Sequence, residues 1–257
     1  MTAKPSTNLF SEARQDPIDL PTPERVLTIG AHPDDAEFGA GGTLAKWAAA
    51  GCEISMLIVT DGSKGSWDED QDPAELVVAR RAEQQEAAKA LGATGQIVFG
   101  DFVDGELENS RELQRLIALW VRTLKPNVVL TFDPWKKYMM HPDHRAIGWG
   151  VIDGIVAARD HLFFPDQLVD GLTKHRPEAI LLFAPEEADH HEDIGTSFET
   201  KIDALLCHSS QARTTMGDAN DSDAARAEFT NRIRDWSVRM GEAAGLELAE
   251  SFKLLRP

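Results

Sequence analysis

The feature that most limits the fold is a series of short apolar runs, each stopped by Gly, Pro or Asp and separated from the next by a longer amphipathic stretch. The runs are "RVLTIGAH" (Arg25 to His32), "EISMLIVTDG", "QIVFG", "NVVLTFDP" and "EAILLFAP". A strand that is apolar at nearly every position has both faces covered, as in a parallel sheet. Between the runs, "GTLAKWAAAG", "PAELVVARRAEQQEAAKALG", "SRELQRLIALWVRTLKP", "PDHRAIGWGVIDGIVAARD" and "SFETKIDALLCHSS" read as helices. Pro73 stands near the start of the second and Gly92 at its end, and Ser110 is placed to cap the third. A C-terminal helix is predicted from Ala224 to Ala244. Strand and helix alternate, so the fold class is α/β, a mostly parallel sheet with helices on both faces. No Pro/Ser/Gly-rich linker divides the 257 residues. The expectation is a single domain over 1–257, with 1–22 as an N-terminal tail or arm.

Charge and cysteine content narrow the function. The formal net charge is −17; such a surface repels phosphate backbones and argues against nucleic acid as a partner. Two cysteines, Cys52 and Cys207, form neither a disulfide framework nor a zinc-finger spacing. No apolar run approaches the roughly 20 residues that a membrane span needs. The first residues lack the basic-then-apolar order of a secretory signal, which makes the cytoplasm the expected location.

In open parallel sheets, ligands bind beyond the carboxyl ends of the strands. Three polar clusters fall there: "HPDD" after the first strand, "TDGSKG" after the second and "DPWKKYMMHPDH" after the fourth. Strands one and four are neighbours in the common doubly wound orders, so the two histidine clusters should face each other. His32 and Asp35, three apart on a strand-to-helix turn, can point the same way while Asp34 points elsewhere. In "HPDH", Pro142 suits a first helical position, and His141 and His144 share a helix face. His32, Asp35 and one of His141 or His144 make a two-nitrogen, one-oxygen set suited to a catalytic zinc site with a position open for water. Asp34 is left over as a carboxylate able to take a proton. The rival reading takes "GAGG" as a dinucleotide loop. It fails on register, and because two carboxylates would stand where a pyrophosphate must sit. The glycines instead let the next helix pack close to the sheet.

"AHPDDAEFGAGGTLAKWAAAG" together with "HPDH" resembles the PIG-L/LmbE-like family of zinc-dependent N-acetylglucosaminyl deacetylases. "ARRAEQQEAAKALG", "GDFVDGEL" and "KIDALLCHSSQ" resemble further family segments, so the likeness runs from about Arg25 to Gln211. It implies a Rossmann-like fold and an amide hydrolase that removes acetyl from an N-acetylated amino sugar or its conjugate. Zn2+ is the implied cofactor, other divalent transition metals being acceptable, and a small N-acetylated sugar and further copies of the chain are the implied partners. Carried over by motif, His32, Asp35 and His144 are metal ligands and Asp34 is the general base. His141 is a cationic oxyanion donor oriented by Asp143. Arg80, held by Glu83, and His208 contact substrate. An amidase acting on a thiol conjugate or an antibiotic precursor is the alternative reaction. A sugar- or nucleotide-binding module without catalysis is the alternative class. Asp61, Lys64, Trp67 and Trp135 are candidates for the rim of the site, and His190 and His191 for its edge or for an exposed loop.

Overall fold

The computed structural model describes residues 18–257. Seven strands form one sheet in the order β3-β2-β1-β4-β5-β7-β6. They are β1 (Arg25–Gly30), β2 (Glu53–Thr60), β3 (Ile97–Phe102), β4 (Val128–Phe132), β5 (Ala179–Phe183), β6 (His190–Asp193) and β7 (Ala249–Leu255). The five apolar runs are the five parallel strands, and β1 pairs β2 on one side and β4 on the other. The order therefore reverses between β1 and β4, which opens a crevice at their carboxyl ends. All five residues of β4 and of β5 are buried, as two-sided coverage requires.

The helices are α1 (Asp35–Ala49), α2 (Pro73–Ala90), α3 (Arg111–Leu124), α4 (Pro142–Ala158), α5 (Phe198–Leu206) and α6 (Asp223–Glu242). α3 and α4 pack together over β1 and β4, while α5 joins α1 and α2 in a second group. Their ends carry the expected signals. The Asp72 side chain accepts from Ala74 N at 2.8 Å ahead of Pro73, and Ser110 Oγ accepts from Leu113 N at 3.2 Å. Pro142 opens α4.

Three elements depart from the sequence reading. α1 begins at Asp35, so the glycine run lies inside the helix rather than before it. A Cβ on Gly39 would come within 2.6 Å of the Phe183 ring, and one on Gly42 within 2.7 Å of Ile194. Close packing, not a loop, is what those two positions require. The helix also breaks at Ala40 (φ −151°). Around the break, Glu250 accepts from Gly42 N at 2.9 Å and Thr43 N at 2.8 Å, and Lys201 Nζ donates to Phe38 O at 2.9 Å. Lys201 and Glu250 are themselves paired at 2.6 Å and buried.

β6 and β7 are the other departures. β7 runs antiparallel between β5 and β6. His190 and His191 therefore lie in a buried strand, not an exposed loop. His190 Nε2 is 2.8 Å from Glu192 Oε1, and His191 Nδ1 is 2.9 Å from Ser251 Oγ. Part of the expected N-terminal arm is docked on β6. Asp19 N donates to His191 O at 3.0 Å and Leu20 N to Glu192 Oε1 at 2.9 Å. Residues 1–17 of that arm lie outside the described residues.

Candidate metal centre and active site

The site is assembled where β1 and β4 end. β1 delivers His32; the chain then turns through Asp34, which adopts the left-handed conformation (φ 101°), and enters α1 at Asp35. That turn lets one Asp35 oxygen accept from the backbone N of His32 at 2.8 Å. The first turn of α4 delivers His144, whose ring stacks on Phe132 at 3.9 Å. His144 Nε2 lies 3.2 Å from His32 Nδ1 and 3.2 Å from Asp35 Oδ1, and His32 Nδ1 lies 3.6 Å from Asp35 Oδ2. The opposite nitrogen of His32, Nε2, sits 2.9 Å from Asp143 Oδ2 and 3.1 Å from Asp104 Oδ1.

These distances test the site against a cation. With Nε2 held as a donor by two carboxylates, the other ring nitrogen of a neutral His32 offers its lone pair. That lone pair, the facing nitrogen of His144 and the Asp35 carboxylate converge. His144 Nε2 lies 3.2 Å from His32 Nδ1 and 3.2 Å from one Asp35 oxygen, close to the roughly 3.3 Å between ligands of a tetrahedral zinc ion, and the other Asp35 oxygen is 3.6 Å from His32 Nδ1. Burial alone would lower the pKa of His32, yet hydrogen bonds to Asp104, Asp143 and Asp35 raise it to about 12, so without an ion these carboxylates hold a second proton on the ring, which a bound cation would displace. The nearby histidines hold Asp35 well below the carboxylate range against its burial. The donor set thus suits a divalent ion. His32 and His144 also lie close enough to His141 for a three-histidine set.

Asp34 stands beside this set. Burial raises its pKa to about 6, partly offset by Arg80, whose Nη2 is 3.6 Å away. Its backbone N donates to Gln84 Oε1 at 3.1 Å, and Gln84 Nε2 donates to Glu37 Oε1 at 2.7 Å. Arg80 is only 3% exposed and gives its fork to Pro33 O at 2.7 Å and Gly62 O at 3.1 Å. It lines the cavity, but Glu83 does not hold it: the Glu83 carboxylate accepts from Ser209 and Ser210 instead.

Three further expectations need correction. The carboxylate of Asp143 does not orient His141. It faces His32 and accepts from Gly105 N at 2.7 Å and Leu107 N at 3.1 Å. His141 is oriented by the backbone, because its Nδ1 accepts from Asp143 N at 3.3 Å. Its pKa is lowered, by burial and then by repulsion from His32 and His144, so the ring leans neutral rather than cationic. His208 does not contact the cavity at all. It is 0% exposed and sits behind Glu37, Nε2 to Oε2 3.5 Å, where the pairing raises its pKa despite burial.

Sequence reasoning missed Asp104, Gln84 and Lys201 as site residues, although "GDFVDGEL", "ARRAEQQEAAKALG" and "KIDALLCHSSQ" contain them, and it missed Glu250. Gln84 pairs with Glu37 and Lys201 with Glu250, 47 and 49 residues away, which no local pattern shows. Lys64 and Trp67 line the cavity, Trp67 at 76% exposure. Asp61 serves a turn by accepting from Ser63 N and Asp104 N, and Trp135 packs on Trp149. The cavity over the metal set measures about 710 Å³.

With this geometry in view, relatives can be compared. The family model described as GlcNAc-PI de-N-acetylase, PIG-L, matches residues 27–155, about half of the chain. The chain is 35% identical over 188 residues to the diacetylchitobiose deacetylase of Thermococcus kodakarensis, covering 73% of this chain and 70% of the relative. It is 30% identical over 169 residues to a 1D-myo-inositol 2-acetamido-2-deoxy-alpha-D-glucopyranoside deacetylase of Kineococcus radiotolerans, covering 54% of this chain and 46% of the relative. Among solved structures, the N,N'-diacetylchitobiose deacetylase of Pyrococcus horikoshii, complexed with its inhibitor, superposes with a TM-score of 0.82 at 30% identity. The match covers 91% of this chain and 84% of that one. Two histidine clusters facing across the β1/β4 crevice, one glycine-bearing helix packed on the sheet and these likenesses agree: the chain belongs to the PIG-L family of N-acetylglucosamine-type deacetylases.

Proposed function

We propose that this protein is a metal-dependent hydrolase that removes the N-acetyl group from an N-acetylglucosamine-type sugar or a conjugate of one. The observation that carries this reading is the convergence of His32, Asp35 and His144, at 3.2–3.6 Å from one another, beside the Asp34 carboxylate in one cavity. The acetamido sugars in the names of the relatives supply the substrate class. His32, Asp35 and His144 would hold the ion, zinc or another divalent transition metal. When bound, it supplies a Lewis acid for the amide carbonyl and makes water more acidic.

The chain's own groups do the rest. Asp34, with its pKa near 6, takes the proton that water loses on attacking the carbonyl and returns it to the leaving nitrogen. Arg80 keeps that carboxylate ionisable by offsetting its burial. Because His141 Nδ1 accepts the Asp143 N–H, a neutral ring carries its proton on Nε2. The ring lies 4.6 Å from that of His32, where an N–H stabilises the oxyanion as it forms. A neutral donor suffices. Asp104 and Asp143 fix the His32 ring from behind.

The test measures acetate and free amine released from N-acetylglucosamine and N,N'-diacetylchitobiose by metal-stripped protein, before and after zinc is added. Zinc should restore release, and Asp34→Asn should lower kcat roughly 10²- to 10⁴-fold with metal still bound. No release from either sugar by the loaded protein, or full activity in Asp34→Asn, would overturn the reading.

A further inference from the structure

The cavity is chemically divided. On the β2/β3 side of the metal set it is lined by Lys64, Arg80, Asp104, Gln211 and Thr214, with the exposed Trp67 at the rim. On the β5/β7 side it is lined by Phe38, Phe132, Phe183, Ala184, Trp236 and Met240. Aromatic rings lead from the metal set into the β5/β7 part. Phe132 stacks on His144, and Phe183 meets Phe132 edge-on at 4.5 Å.

The β5/β7 arm also contains polar side chains, but most are already committed. Lys201 and Glu250 bind each other and the backbone groups released at the break in α1. Ser251 Oγ is shared between His191 Nδ1 at 2.9 Å and Met240 O at 3.2 Å. Ser237, also in the lining, is 2% exposed. A sugar placed there would lose hydration of its hydroxyls with few partners in return, which is costly. An alkyl chain loses nothing of the kind and gains by leaving water.

In a trans secondary amide the acyl chain and the nitrogen substituent lie on opposite sides of the C–N bond. With the carbonyl at the metal set, the sugar's hydroxyls belong in the polar arm, and the acyl chain enters the apolar one. An acetyl group puts a single methyl into it. We propose that this arm is an acyl-chain subsite, and that the enzyme hydrolyses N-acyl amino sugars with chains longer than acetyl in preference to the acetylated sugar. The inference rests on the amide-hydrolase reading above. The reaction is balanced with water alone: the C–N bond breaks, the water oxygen joins the acyl carbon as a carboxylate, and the amine leaves as the ammonium.

The experiment compares kcat/KM of the zinc-loaded protein for N-acetyl-, N-butanoyl- and N-hexanoylglucosamine. A parallel series keeps the N-acetyl group and lengthens an alkyl aglycone from methyl to hexyl. Acyl lengthening should raise kcat/KM roughly two- to fourfold per methylene until the arm is full, and aglycone lengthening should not. Met240→Trp, which fills the arm, should shift the optimum to shorter acyl chains. Trp236→Ala, which enlarges it, should shift the optimum to longer ones. The two opposite shifts, with circular dichroism unchanged, cannot come from a general loss of structure. If acetyl is hydrolysed and hexanoyl is worse by tenfold or more, or if only the aglycone series gains, the acyl subsite is wrong and the deacetylase reading stands. If no N-acylglucosamine is hydrolysed, that reading falls as well.

Discussion

His32 is the residue on which the site turns, because its two nitrogens have different tasks. One meets Asp143 and Asp104 at 2.9 and 3.1 Å, and the other faces His144 and Asp35. Carboxylates behind a ligating imidazole fix its tautomer and strengthen it as a donor. Asp104→Asn keeps the shape and removes the charge. Zinc affinity should fall roughly 10- to 100-fold, as read by competition with a chromogenic chelator, while the circular dichroism spectrum is retained. Affinity unchanged within a factor of two would show that Asp104 is only a neighbour. Asp34 has different surroundings: on a left-handed backbone (φ 101°) its carboxylate lies 3.6 Å from Arg80 Nη2, whereas that of Asp35 faces His144 and His32, so two adjacent acids have different partners.

Among the elements, α1 depends most on the rest of the chain. Its break at Ala40 frees a carbonyl and two amides, and Lys201 from α5 and Glu250 from β7 take them. The turn bearing His32, Asp34 and Asp35 is thus braced by residues more than 150 positions later. Deleting one member of a buried pair leaves the other charged and uncompensated. Glu250→Ala should therefore cost about 3–5 kcal/mol of stability, measured by urea unfolding of the metal-free protein. Lys201→Met in the Glu250→Ala background should recover part of that loss. Equal loss in the single and double variants would mean that the bonds to the broken helix, not the pairing, dominate.

For the molecule as a whole, histidines held neutral by packing tie folding to pH. His175 Nε2 lies 2.7 Å from Pro126 O, next to the start of β4, and burial lowers its pKa below the ordinary 6.5. Below that value the unfolded chain binds a proton that the folded chain resists. Its contribution is present above pH 6.5 and is lost as pH falls toward the folded pKa. The stability advantage of the wild type over His175→Gln should shrink between about pH 7.5 and 5, as followed by denaturant titration at each pH. An advantage that grows on acidification would reverse the assignment.

The alternation of apolar runs with amphipathic stretches determined by itself the five parallel strands and most of the helices, because two-sided burial marks nearly every residue of a central strand; β3, at the sheet edge, is only half-buried yet carries a similar run. It also determined that "HPDD" and "HPDH" meet, since strand ends that flank the reversal in order have nowhere else to go. β6 and β7 left no such mark. "HHED" has no apolar residue, and "AESFKLL" carries Glu250 and Lys253; their strand character comes from pairing with β5 and with each other. The tertiary structure alone decided the rest of the site. It turned Asp143 toward His32, put His208 behind Glu37, and brought Lys201 and Glu250 to the broken helix. The physical reason is common to all three. A periodic pattern records which side of an element is covered, whereas the partner of a buried polar group is set by whichever distant element covers it.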